Sequence, residues 1–155
     1  MPLPDGSTYQ LTDLAGKPVR LADLIGKGVW INFWASWCPP CQYETPTLRS
    51  MDERYRDDGL VIVAVQVQQT VAAGQQYAQR YELEYRIGAD VTGDIFHLYR
   101  GFALPTQFFI DAEGRIRQIV NGPLTDQRAT QLIESILPPG FSTPPPSPAS
   151  SPSGS

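Results

Sequence analysis

Val29-Trp30-Ile31-Asn32-Phe33-Trp34 runs through Ala35-Ser36 into Trp37-Cys38-Pro39-Pro40-Cys41, and this stretch decides the fold. The first six residues are an almost unbroken apolar, β-branched and aromatic run, the pattern of a strand buried on both faces. Downstream, Leu48, Met51 and Tyr55 recur at helical spacing on a segment that stops at Asp57-Asp58-Gly59, with Gly59 as the C-terminal cap. A second buried run, Leu60 to Val67, follows. Strand, helix and strand in this order make a βαβ unit, with both strands in the middle of a sheet.

Working outward, Thr70 caps a second helix with Val71, Tyr77, Ala78 and Tyr81 on its apolar side, and a short third helix spans Asp94 to Tyr99. Phe108-Phe109-Ile110-Asp111 and Ile116 to Val120 flank the turn Ala112-Glu113-Gly114 and read as a hairpin. A last helix after Thr125 carries one apolar stripe, Ala129, Leu132, Ile133 and Ile136. Near the start, Tyr9 to Thr12 and Pro18 to Leu21 look like a small β-hairpin around Ala15-Gly16-Lys17. The whole is a three-layer α/β domain on a mixed sheet, spanning residues 1–137. Residues 138–155 are rich in Pro and Ser, carry no charge, and read as a disordered tail, a spacer or a proline-motif ligand.

The 155 residues, 41% of them apolar, suffice for one core. Net charge is -4 with the twelve Lys and Arg scattered, so no basic stripe is available for phosphates and nucleic acid is not an expected partner. No run approaches the about 18 apolar residues of a membrane span. Met1 leads straight into Pro2-Leu3-Pro4-Asp5-Gly6, which reads as the start of an excised domain, with a targeting or anchor segment expected ahead of it.

Cys38 and Cys41 are the only cysteines. Two thiols cannot build a four-thiolate zinc site, and His97 lies far along the chain. As a staple the pair is poor: closing a four-residue loop contributes about 2 kcal/mol, against about 4.7 for a 100-residue loop. A C-x-x-C between a buried strand and a helix is suited to redox chemistry. Cys38 at the N-cap is the expected attacking sulfur, because unpaired N–H groups and the helix dipole favour its thiolate. Cys41, one turn inward, is expected to resolve the mixed disulfide. Pro39 and Pro40 lack N–H groups, so the thiolate is expected to be less stabilised than in strong oxidants. Alternatives are an inert pair and a Cu(I) clamp using both sulfurs. Copper sites usually add a nearby histidine or methionine, and Met1, Met51 and His97 do not cluster with Cys38 in sequence.

Phe33-Trp34-Ala35-Ser36-Trp37-Cys38-Pro39-Pro40-Cys41 resembles the active-site signature of the TlpA/ResA-like thioredoxin-fold family. Pro46 stands where that superfamily carries a proline inside the active-site helix, and Leu104-Pro105-Thr106 before Gln107 to Asp111 resembles its cis-proline loop and following strand. Val19 to Leu24 with Gly26-Lys27 resembles its N-terminal extension. The likeness covers about residues 3–137. It implies a thioredoxin fold, a three-layer αβα arrangement with a central mixed sheet and a short N-terminal β extension.

The resemblance also implies a cis peptide at Pro105 that docks an extended client chain, with Leu104, Thr106, Trp37, Pro39 and Pro40 around it. Glu44, three residues after Cys41, matches a carboxylate position of the ResA-like branch and is expected to take the proton from Cys41. Otherwise it is a solvated glutamate in a first helical turn. Asn32 replaces the buried acid that ordinary thioredoxins carry. Ala35 stands where peroxidases of related fold carry a threonine, which demotes that chemistry. The resemblance further implies a monomer working outside the cytoplasm, with no bound cofactor. Its partners would be cysteine-containing protein substrates and a membrane thiol-electron transporter that supplies the electrons. A frequent role in that family is keeping apocytochrome c cysteines reduced. Trp34 and Trp37 shield the cysteines or fill the core, and His97 is expected to be a partly exposed structural residue.

Overall fold

The structure, a computed structural model, describes residues 11–12 and 17–138. Residues 139–155 of the tail and the turn at Ala15-Gly16 lie outside them, as do Tyr9 and Gln10. In chain order the elements are β1 (Leu11–Thr12), β2 (Pro18–Val19), β3 (Gly28–Trp34), α1 (Pro39–Tyr55), β4 (Leu60–Val67), α2 (Val71–Tyr81), β5 (Arg86–Asp90), α3 (Asp94–Leu98), β6 (Thr106–Ile110), β7 (Ile116–Asn121) and α4 (Asp126–Ile136). Five strands form one sheet in the order β5-β4-β3-β6-β7, while β1 and β2 pair as a separate two-stranded ribbon. β3 runs parallel to β4 and antiparallel to β6, which places it at the centre of a mixed sheet.

All seven residues of β3 are buried, as the continuous apolar run requires. Its alternation sends Trp30 and Trp34 to one face and Ile31 and Phe33 to the other. Trp30 and Trp34 join Leu48, Met51 and Tyr55 of α1, Tyr77 of α2 and the Ala129, Leu132, Ile133, Ile136 stripe of α4 in one core. Ile31 and Phe33 join Ile95 of α3, Val19 and Leu24 in the second. The three-layer αβα thioredoxin fold is therefore the observed architecture.

Gly59, at φ 100°, closes the turn that follows α1. Thr70 caps α2 by accepting a hydrogen bond from the Ala73 N–H at 3.1 Å. Val71 departs from expectation. It stands at the first position of α2 and is 36% exposed, so it does not share the buried side with Tyr77. β5, a strand that the local pattern does not announce, pairs in parallel with β4 from Val63↔Arg86 to Val67↔Asp90. Among the described residues, no helix is long and apolar enough to cross a membrane.

Candidate active site

Residues 35–38 connect β3 to α1 and are held by glutamines. The Ser36 N–H donates to Gln69 Oε1 at 2.7 Å, Gln69 Nε2 donates to Ser36 Oγ at 2.7 Å, and Gln42 Nε2 donates to the Ser36 carbonyl at 2.5 Å. This clasp sets the turn in which the Cys38 N–H reaches the Ala35 carbonyl. Cys38 is the N-cap of α1, in an extended conformation at φ -92° and ψ 110°, and Pro39 and Pro40 fill the first two helical positions.

Cys38 and Cys41 are joined as a disulfide with their Cα atoms 5.3 Å apart. The Cys41 N–H donates to Cys38 Sγ at 3.3 Å, while the carbonyl oxygen of Leu104 lies 3.8 Å from the same sulfur. Both cysteines are nearly buried, Cys38 at 4% and Cys41 at 2% exposure. Access nevertheless differs, because an open groove of about 550 Å³ is lined by Cys38 and not by Cys41. Trp37, Pro39, Pro40 and Leu104 share its walls, as do Phe102 and His97. Trp37 and Phe102 are largely exposed there, whereas Trp34 packs on Tyr77 in the core.

The Leu104-Pro105 peptide is cis. Of the three residues expected to dock a client, only Leu104 lines the groove; Pro105 and Thr106 are buried. The Pro105 carbonyl already accepts from the Gly122 N–H at 2.8 Å, and Thr106 Oγ1 donates to the Ala103 carbonyl at 2.5 Å. The latter two thus shape the loop that presents Leu104.

Glu44 is not a solvated helix-end charge. It is 2% exposed, on the side of α1 that faces the sheet. Asn32 Nδ2 donates to its Oε1 at 2.9 Å, while Gln107 Nε2 and the Leu124 N–H both donate to its Oε2 at 2.6 Å. Burial pushes its carboxyl up from 4.5 to about 6, against the opposing pull of Leu124, Gln107 and Asn32. Folding therefore favours the neutral form. That advantage is complete below pH 4.5 and is lost as the pH rises through about 6. A displacement of this size corresponds to about 2 kcal/mol. Urea unfolding at a series of pH values should show wild type losing about that much stability relative to Glu44→Gln between pH 4.5 and 7. Equal slopes for the two proteins would contradict a buried, raised Glu44.

Three features escaped the local pattern. His97 and Phe102 reach the groove only because the segment from α3 to Leu104 folds back beside Cys38. Gln107 looks like an ordinary strand residue, yet it is fully buried and hydrogen-bonded to Glu44. His97 shares the groove with Cys38, but among the described residues no three His, Cys, Asp or Glu side chains converge to hold a metal.

A vicinal dithiol closed across the first turn of a helix, on a central mixed sheet and beside a cis-proline loop, defines a thioredoxin-fold thiol-disulfide oxidoreductase. Comparison with known proteins agrees. The profile of the AhpC/TSA family matches residues 3–119. The thiol-disulfide oxidoreductase ResA of Geobacillus kaustophilus (strain HTA426) is 38% identical over 136 residues, covering 86% of this chain and 78% of that protein. The structure of a secreted Mycobacterium tuberculosis disulfide oxidoreductase homologous to Escherichia coli DsbE superposes with a TM-score of 0.74 at 25% identity, covering 82% of this chain and 95% of that one. The exposed lipoprotein thioredoxin Etrx1 of Streptococcus pneumoniae strain TIGR4 gives 0.68 at 27% identity, over 83% and 99%. The chain belongs to the AhpC/TSA family, where its likeness is to the ResA thiol-disulfide oxidoreductases. Ala35, fully buried and without a hydroxyl, stands apart from the threonine that peroxidase chemistry expects.

Proposed function

We propose that this enzyme reduces disulfides of protein clients outside the cytoplasm. The Cys38 thiolate attacks one sulfur of the client disulfide, forming a Cys38–client bond and releasing the other client sulfur, which takes a proton from solvent. Glu44 accepts the proton of the Cys41 thiol, and the Cys41 thiolate attacks Cys38 Sγ. The Cys38–Cys41 bond forms, the Cys38–client bond breaks, and the second client sulfur leaves and is protonated. Two electrons pass to the client, and a membrane thiol-electron transporter restores the dithiol. Leu104 docks the client chain beside Cys38, with Trp37, Pro39 and Pro40 as neighbouring walls and Pro105 and Thr106 as support.

The observation that carries the reductive direction is the poverty of donors around Cys38 Sγ. Pro39 and Pro40 contribute no N–H, the Cys41 N–H is the one donor to the sulfur among the described residues, and the Leu104 carbonyl presents an oxygen to it. A thiolate there is stabilised by one hydrogen bond and the helix dipole and is opposed by a carbonyl dipole. A weakly stabilised thiolate makes the reduced form less favourable, which is the property of a reductant. We expect a Cys38 pKa of about 6.5 to 7.5 and a potential below roughly -200 mV. Ultraviolet thiolate titration and equilibration with glutathione measure both. A pKa near 4 with a potential near about -120 mV would make the protein a disulfide donor instead.

Extracytoplasmic work is supported by the likeness to a secreted oxidoreductase and to an exposed lipoprotein. Apocytochrome c cysteines are the client class that the ResA-like resemblance suggests, with the enzyme acting as a monomer. A Cu(I) titration of the reduced protein beside an insulin-reduction assay separates exchange from copper carriage. Tight copper binding without reductase activity would favour carriage.

A further inference from the structure

Gln107 meets every hydrogen-bonding demand of a buried amide. Its Oε1 accepts from Trp30 Nε1 at 2.7 Å and from Asn32 Nδ2 at 3.1 Å, and its Nε2 donates to Glu44 Oε2 at 2.6 Å and to the Gly122 carbonyl at 2.9 Å. Those contacts fix which end of the amide faces the carboxylate, because an indole N–H can only donate. The residue also has a telling address. It pairs with Asn32 across β3 and β6 and sits two positions after cis Pro105. Gly122 links the two, since its N–H donates to the Pro105 carbonyl and its carbonyl accepts from Gln107.

We infer that Gln107 is a positioning residue of the exchange reaction: it holds the Glu44 carboxylate in place and thereby sets the pH range in which Cys41 resolves the mixed disulfide. This rests on the reading of Glu44 as proton acceptor. A buried carboxylate without enough donors takes up a proton and ceases to be a base. Asn32, Gln107 and the Leu124 N–H are the three donors that oppose this at Glu44. All three are uncharged, and no charged side chain is among the groups that shift the carboxyl. Among the described residues, Cys41 stands one turn back on α1, and Tyr85 has its phenol raised first by burial, with Tyr77, Asp52 and Glu44 itself adding to the effect. Of the two side-chain donors, Gln107 is the one that also contacts Gly122, which supports the cis-proline loop, so the strand leaving the docking loop carries a group that holds the base.

Two variants test the assignment. Gln107→Glu keeps an oxygen for Trp30 and Asn32 but sets a second carboxyl against Glu44. Two such groups cannot both ionise freely, so proton uptake by the pair moves upward. Gln107→Met removes the amide outright and is the variant at greater risk of unfolding; Gln107→Glu keeps the test decisive if it does. Two readouts are needed on the whole chain. One is the carboxyl-carbon NMR titration of Glu44, identified by its loss in Glu44→Gln. The other is the pH profile of single-turnover release of a fluorescent peptide from its mixed disulfide with Cys38.

In wild type both midpoints should fall near 6, the value to which burial raises Glu44. Each Gln107 variant that folds should move both up by about one unit or more. Placing Gln107→Met in a Glu44→Gln background should add little further slowing. Unmoved midpoints in the Gln107 variants, with Glu44→Gln still slowing release, would overturn the role of Gln107 and leave that of Glu44 intact. A release rate unchanged in Glu44→Gln would overturn both. A shifted NMR midpoint with an unshifted rate profile would overturn the catalytic coupling.

Discussion

Cys41→Ser, reduced and then mixed with a client disulfide, should accumulate a mixed disulfide through Cys38 that approaches one per molecule, while Cys38→Ser should accumulate almost none. Turnover should fall to background in both variants. The asymmetry follows from access and from the helix end. Cys38 lines the open groove and sits at the N-cap, where the Cys41 N–H and the helix dipole favour its thiolate. Cys41 lies outside the groove, one turn inward, where burial disfavours an unpaired charge. Serine at position 41 keeps the backbone N–H that caps Cys38 but supplies no sulfur to displace the client, so the intermediate has no internal exit. Mass spectrometry under non-reducing conditions reads the adduct. Comparable trapping by both variants would mean that the roles of attacking and resolving sulfur are not divided in this way.

What local sequence conveys and what it omits can be seen residue by residue. β3 and β4 were legible because burial on both faces leaves a continuous apolar run, and Cys38 because a strand-to-helix junction flanked by prolines has few other uses. β5 was not legible. In Arg86-Ile87-Gly88-Ala89-Asp90 only Ile87 is a strong strand former, and the segment is extended because β4 offers its backbone a partner. Val71 has the correct spacing for a buried helix position, but spacing cannot say that the first turn of α2 projects beyond its cover. Glu44 was placed on the right side of α1 by counting from Cys41. Its burial was invisible, because the donors that surround it come from Asn32, Gln107 and Leu124, separated from it by 12, 63 and 80 positions. The same holds for His97 and Phe102, whose presence beside Cys38 depends on the return of the chain from α3 to the cis-proline loop.

The largest loss of stability from a single side chain is expected at Trp30. It is fully buried at the centre of the sheet, stacked on Phe109 with ring centroids 5.1 Å apart, and its indole N–H donates to Gln107 at 2.7 Å. Trp30→Ala removes the apolar surface and leaves a cavity between β3 and the α1 and α4 layer, which rigid strands on either side cannot close. Such truncations cost about 3 to 5 kcal/mol, a drop of roughly 10 °C or more in Tm for a domain of this size. Trp30→Phe separates packing from hydrogen bonding. It retains most of the ring and loses the indole donor, and Gln107 Oε1 keeps Asn32 as a partner, so a loss of about 1 to 2 kcal/mol is expected. Urea unfolding monitored by far-ultraviolet circular dichroism measures both variants. A loss below about 1 kcal/mol for Trp30→Ala would mean that the layer collapses onto the missing indole. Trp30→Phe carries a further consequence for the site: with one fewer donor on its oxygen, the Gln107 amide is less firmly oriented toward Glu44. Its resolving step should therefore slow while the Cys38–Cys41 potential stays close to that of wild type, since the indole N–H that is lost donates to Gln107 and Gln107 in turn donates to Glu44, not to either sulfur.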